Sequence, residues 1–335
     1  MTRLRFLHAA AVATGVAALF VTQPREAAPE GPPASVPAVM NGCQLCHAEY
    51  VKEWADSFHG KAWTDEVYVA AKAAAPKDKQ ATCNPCHAPS QTQPALGKAP
   101  TLRSKDQKEG VTCTVCHQVP GAKPEDIGTI VGPLPADQMV KGHANRQDKA
   151  MDSDPRVCVS CHGTDKDHNQ YDSWKGSAYE KEGESCQSCH MPDVKRAIYD
   201  KKGGLPKEAH KHTMPGAHDA AMVKKAVLLD ASVAAGKLTV KVTNDGAGHN
   251  FPGGGEREAV LVVTVVGKDG KEAASYRETF DLRTKDNRIK PKETRTLEFD
   301  AKAAAGTVKL KLIYKLSPAS DEAKATVAAE KEVKF

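Results

Sequence analysis

Cysteine is absent from this chain except in one pattern. All ten cysteines fall in five Cys-x-x-Cys-His units, and none follows Cys189. Aromatic residues make up only 5% of the chain. Between residues 43 and 190 only 17 of 148 residues are Leu, Ile, Val or Phe, which is too few for a side-chain core. By composition alone that segment would be disordered. Long apolar runs are missing as well. Residues 6–22 form the one apolar stretch, 17 residues long, short of the about 20 that cross a bilayer. Basic residues lack interleaved aromatics, which argues against a nucleic-acid partner.

What is present is the repeated unit: Cys43-Gln44-Leu45-Cys46-His47, Cys83-Asn84-Pro85-Cys86-His87, Cys113-Thr114-Val115-Cys116-His117, Cys158-Val159-Ser160-Cys161-His162 and Cys186-Gln187-Ser188-Cys189-His190. In a c-type haem site both thiols form thioethers to the porphyrin, and the adjoining histidine reaches the iron as proximal ligand. A tight turn puts the two sulfurs on one porphyrin edge and swings the imidazole beneath the metal. Zinc ribbons also use Cys-x-x-Cys but need no histidine directly after each pair, and disulfides need none either. The sequence therefore predicts five covalently bound haem c groups, with His47, His87, His117, His162 and His190 as proximal ligands.

Haem is attached to such motifs outside the bacterial cytoplasm, so a periplasmic or other extracytoplasmic protein is expected. Arg3 and Arg5 ahead of the apolar stretch make residues 1–23 a signal peptide or a retained membrane anchor. Residues 24–40, rich in Pro and Ala, read as an extended linker. The formal charge of +5 shrinks once haem propionates are counted, at about one net negative charge per ferric bis-histidine haem, so the loaded protein is roughly neutral.

Two regions follow, and the fold class is α+β. Residues 41–222 should form a helix-and-loop haem domain in which porphyrin faces supply the core. One helix is predicted over 49–63, where Tyr50, Trp54 and Phe58 recur at four-residue spacing, and a second over 170–181. In residues 223–335, 28 of 113 residues are Leu, Ile, Val or Phe. Leu238, Val240 and Val242 alternate with polar neighbours, as do Val308, Leu310 and Leu312; residues 260–266 fit a central strand, followed by the turn signal Gly267-Lys268-Asp269-Gly270. A small antiparallel β-sandwich is predicted, serving packing, docking or assembly.

Spare histidines decide what each iron can do. Seven remain after the proximal ones and His8: His59, His143, His168, His210, His212, His218 and His249. Five distal ligands can be drawn from His59, His143, His212, His218, His168 and His249, with His210 as a spare. Bis-histidine iron is closed to substrates and low in potential.

EYVKEWADSFHGKAW resembles the Tyr-x-x-Trp-x-x-Ser-x-His stretch of the tetrahaem cytochromes of nitrifying bacteria, which accept electrons from hydroxylamine oxidoreductase. EGVTCTVCHQVPG and YDSWKGSAYEKEGESCQSCHMPDV are similar to haem segments of the wider multihaem superfamily, which includes nitrite reductases and hydroxylamine oxidoreductases. HKHTMPGAHD resembles the turn after the last Cys-His-Met-Pro, and GHNFPGGGERE with DNRIKPKETRTLEF resembles an appended β-domain. The likeness spans most of residues 43–316 and implies a distal role for His59. The chain departs from it in having five motifs instead of four and Tyr179 where a histidine can occur; unlike most pentahaem nitrite reductases it has no Cys-x-x-Cys-Lys and is markedly shorter.

These readings favour an electron-transfer protein with redox partners such as other cytochromes or an oxidoreductase. The alternatives are a multihaem reductase or oxidase of small nitrogen or sulfur compounds, with Tyr179 or an unused histidine beside an open iron, and a subunit of a homo-oligomeric filament or membrane complex.

Overall fold

The structure, a computed structural model, describes residues 42–119, 128–135, 143–163, 166–199 and 206–335. The expected signal peptide or anchor and the linker lie outside the described residues. Among the described residues no helix is long and apolar enough to cross a membrane.

The first region is built of short pieces. Its helices are α1 Ala48–Asp56, α2 Glu66–Ala74, α3 Lys77–Gln80, α4 Asn84–His87, α5 Cys113–His117, α6 Arg156–His162, α7 Gln170–Trp174, α8 Ala178–Lys181 and α9 Cys186–His190. Between them lie a small sheet of β1 Gln118–Val119, β2 Thr129–Gly132 and β3 Ala144–Gln147, and the hairpin of β4 Asp193–Ala197 with β5 Pro206–His210. The helix predicted over 49–63 ends at Asp56. Ser57 turns extended, its hydroxyl donating to the Trp54 carbonyl at 2.7 Å, and a Cβ on Gly60 would meet that same oxygen at 2.5 Å. His59 consequently lies in a turn, not on a helix. The helix predicted over 170–181 is split into α7 and α8 at Lys175-Gly176-Ser177, where Gly176 has φ +81° and Ser177 caps α8.

The protein's own apolar core is minimal here. Val51 and Trp54 form one small buried cluster against Cys43, Ala55 and Cys113, and other buried apolar side chains such as Val115, Val131 and Val159 are scattered.

The second region carries a full core. After α10 Ala220–Ala226 come β6 Val227–Ala234, β7 Lys237–Asn244, β8 Glu258–Gly267, β9 Glu272–Asp281, β10 Thr294–Asp300, β11 Gly306–Lys315 and β12 Thr326–Lys334. They form two antiparallel sheets, ordered β10-β7-β6 and β12-β11-β8-β9. Leu238, Val240 and Val242 from the first sheet and Leu261, Val263, Val265, Phe280, Val308, Leu310 and Leu312 from the second share one buried cluster, as the period-two pattern predicts. Strand β8 is central, between β11 and β9, and its turn into β9 closes with Gly270 at φ +77°. The architecture is α+β.

Candidate haem sites

Each Cys-x-x-Cys-His unit is one helical turn. The first is closed by Cys46 and His47 N–H groups donating to the Cys43 carbonyl at 3.1 and 2.9 Å; the other four fall within or against α4, α5, α6 and α9. The turn sets the two sulfurs three residues apart on one side and leaves the histidine at its end. All ten cysteines are free thiols.

Four of the five motif histidines are held at Nδ1 by a main-chain carbonyl. His47 donates to Ile198 at 2.6 Å, His87 to Ala62 at 2.7 Å, His117 to Val131 at 2.8 Å and His190 to Pro215 at 2.6 Å. A carbonyl oxygen can only accept, so each Nδ1 carries the proton and each Nε2 keeps its lone pair for a metal.

Four motif histidines face a histidine from elsewhere in the chain. Ring centroids are 6.5 Å apart for His47 and His143, 6.3 Å for His162 and His59, 6.0 Å for His117 and His212, and 6.3 Å for His190 and His249. Two imidazoles bound through Nε2 to opposite sides of one metal, at about 2.0 Å each, put their centroids about 6.3 Å apart. Ring planes within a pair differ by 10° to 37°. Burial, and then the neighbouring histidines, pull the imidazole pKa to about 4 in His59, His212 and His249 and to about 3 in His162, so these rings are neutral bases near pH 7.

Three of the four facing histidines have their own support. The His59 carbonyl accepts the Val111 N–H at 2.9 Å, and Gly110 lies so close that a Cβ would meet that oxygen at 2.4 Å; its φ of +62° also demands glycine. His212 donates its main-chain N–H to Glu53 at 2.7 Å, and its Nδ1 meets the His210 carbonyl at 3.1 Å. Fully buried Asn244 donates to the carbonyls of His249 and Ile289 at 2.9 and 3.0 Å and accepts from Ala247, which fixes the loop between β7 and β8. His143 is exposed at the start of β3.

The other candidates stand differently. His87 has no facing imidazole among the described residues; the Tyr68 ring stacks on it at 3.6 Å, with its hydroxyl donating to Asn84 of the same motif. His168 lies near enough to both His87 and His162 to depress their pKa, and it nests against Gly254 and Gly255 of the sandwich. His218 stacks on Phe58 at 3.3 Å. His210 is occupied at both nitrogens, by the Met191 carbonyl and by Asp152, each at 2.9 Å. Tyr179 donates to the Asp245 carbonyl under Lys292, and its ring packs against Gly248, so it buttresses the His249 loop.

The motifs also touch one another. The Cys43 thiol pairs with Cys113, which pulls Cys43 down to about 7; Cys158 pairs with Cys186, and Cys161 with Cys86. Cys116 lies within electrostatic reach of both Cys158 and Cys161. The contacts run from the first motif to the third, on to the fourth and then the fifth, with the second joined to the fourth.

These features fit haem c: one-turn motifs, Nδ1-locked histidines, paired rings at ligating separation, and a region with almost no core of its own. The ten cysteines and five motif histidines are the residues that would hold it, with His143, His59, His212 and His249 opposite four of them. The carbonyl acceptors and Asn244, Glu53 and Gly110 carried no sequence signal, because any residue offers a carbonyl and the polar partners are remote in sequence.

Residues 42–118 match the family model described as cytochrome c554 and c-prime. Among curated proteins the sequence finds no match. Among solved structures, a penta-heme cytochrome c552 from Thermochromatium tepidum matches with a TM-score of 0.61 at 19% identity, over 88% of this chain and 98% of that one. Slight overlaps with a β-glucuronidase of glycoside hydrolase family 2 (TM-score 0.19, 14% identity, 33% of this chain and 11% of that one) and a putative β-galactosidase from Bacteroides fragilis (0.20, 15%, 35% and 16%) carry nothing about this chain. The chain thus has the fold of a pentahaem cytochrome, and its residues 42–118 are similar to the c554 and c-prime family.

Proposed function

We propose that this chain is a pentahaem c-type cytochrome that passes electrons between redox proteins outside the cytoplasm. The observation that carries the reading is the set of four facing histidine pairs at 6.0 to 6.5 Å, each joining one motif histidine to one from elsewhere. Bound at these motifs, haem supplies one reversible electron per iron. The chain's ten cysteine sulfurs would hold it, carbonyls at Nδ1 leave Nε2 of four motif histidines unprotonated, and four facing imidazoles would complete the coordination of four irons. The contacts among motifs make a continuous route with one branch. Electrons would enter and leave through the exposed edges of bound haem; Leu45, inside the first motif, is itself 81% accessible.

One observation favours a second reading, a reductase or oxidase of a small nitrogen or sulfur compound. His87 alone among the motif histidines has no ring pair with another imidazole among the described residues, although His168 lies near it, and Tyr68 and Lys72 converge on Asn84 beside it. The test is the mass of the purified protein together with its ferric EPR and its visible spectrum under carbon monoxide. Five haem additions and five low-spin irons with no carbon monoxide shift support a carrier. One high-spin iron that binds carbon monoxide moves the reading to an enzyme centred on His87. A mass without porphyrin sinks both.

A further inference from the structure

Arg196, on β4, is held on three sides. Its two terminal nitrogens donate to the two Glu53 oxygens at 2.8 and 2.7 Å, Glu49 lies 3.6 Å away, and its guanidinium lies over the Tyr50 ring at 3.9 Å. Its Nε is buried and has no hydrogen-bond partner among the described residues. A guanidinium offers five N–H groups, and a buried cationic donor without an acceptor is unfavourable.

The surroundings name the missing acceptor. Tyr50, beneath the guanidinium, sets its ring edge-on to His47 at 6.3 Å and to His212 at 5.0 Å. His47 belongs to the first motif, and His212 faces His117 of the third. Ile198, two residues beyond Arg196, is the carbonyl that locks His47. Both nearby carboxylates, Glu49 and Glu53, already engage the other side of the guanidinium. Arg196 thus stands where the two sites meet, with its buried Nε–H left for an anion.

We propose that Arg196 Nε receives a carboxylate of a bound haem, a propionate from the first or the third site, and that it sets that haem's potential. The inference rests on the haem-binding reading above. A charge-assisted hydrogen bond to the propionate offsets its negative charge and favours the reduced iron. Through Glu53, which also accepts the His212 N–H, the same guanidinium fixes the main chain that presents that ring. Arg196 is in this sense a positioning residue as well as an anion ligand.

The test uses full-length holoprotein carrying Arg196→Lys, Arg196→Leu or Glu53→Gln. Mass spectra count the haems, resonance Raman reads the propionate bending bands, and potentiometry reads the midpoints. Both Arg196 variants should keep five haems, shift one propionate band and lower one midpoint. The drop should be larger for Leu than for Lys, which keeps the charge. Glu53→Gln should broaden the low-spin signal of one iron while leaving the propionate band in place. Tagging the first iron with His143→Met, or the third with His212→Met, raises that iron's potential and identifies which haem responds. If Arg196→Leu fails to fold, Arg196→Lys carries the test through its Raman band. Unchanged bands and midpoints in fully loaded variants overturn the inference and leave the cytochrome reading standing. A wild-type mass without porphyrin overturns both.

Discussion

His249 faces His190 across 6.3 Å with only 10° between the ring planes. The first belongs to the β7–β8 loop of the sandwich and the second to the last motif. The sandwich therefore does more than pack: it supplies one of the four facing rings, and its Gly254 and Gly255 enclose His168.

Replacing His249 by Ala should open one site. With five haems retained, the ferric protein should gain one high-spin EPR signal and bind one carbon monoxide per chain when reduced. A spectrum identical to wild type would show that His249 is not a ligand.

Asn244→Ala should act on the same site indirectly. It strips donors from two buried carbonyls, at a cost of about 1–3 kcal/mol. Thermal unfolding followed in the far ultraviolet should fall accordingly. Carbon monoxide binding should appear in part and grow with temperature as the His249 loop loosens.

Phe280 is fully buried in the sandwich core. Phe280→Ala should cost about 3–5 kcal/mol of stability in that region. Denaturant titration should show the loss while the haem count by mass stays at five.

The Arg288 guanidinium is buried, donating to Asp286, Asn169 and the Gly253 carbonyl. Arg288 holds the Asp286 carboxyl below its usual range despite an opposing push from burial. A depressed carboxylate pKa contributes stability above the unfolded-state value, about 3.9, and loses it as pH falls through the folded value. Acid unfolding of the sandwich should therefore steepen below about pH 4, and Asp286→Asn should remove that component. Circular dichroism from pH 7 to 2 reads both.

Chain produced without haem attachment should separate the two regions. The sandwich has its own core, whereas the motif region has little beyond Val51 and Trp54. Circular dichroism of such apoprotein should show strand with little helix, and limited proteolysis should leave a fragment starting near residue 220. A protease-resistant motif region would contradict this.

The motifs were legible because thioether and iron chemistry require contiguous residues, and the strands because a half-buried strand alternates every second residue. Leu238, Val240 and Val242 fell where that alternation put them. Pairing between motif and distal histidines was not legible. His59 faces the fourth motif and not the neighbouring first, and His212 faces the third although it follows the fifth. Such matches are set by how short segments cross, and spacing carries no record of them. The helix over 49–63 was overextended because four-residue aromatic spacing ignores Ser57, whose hydroxyl competes for the Trp54 carbonyl. The Arg196–Glu53 pair was invisible for a simpler reason, since its members come from regions that only the fold brings together.

The crossed pairing bears on how the molecule is made. A chain emerging from its N-terminus presents His47 long before His143, His117 long before His212, and His190 before His249. Of the four pairs, only the one between His59 and His162 has its distal member waiting when the motif appears. In order of appearance the first, third and fifth motifs would each wait for a histidine still to come, and the sandwich would supply the last of them.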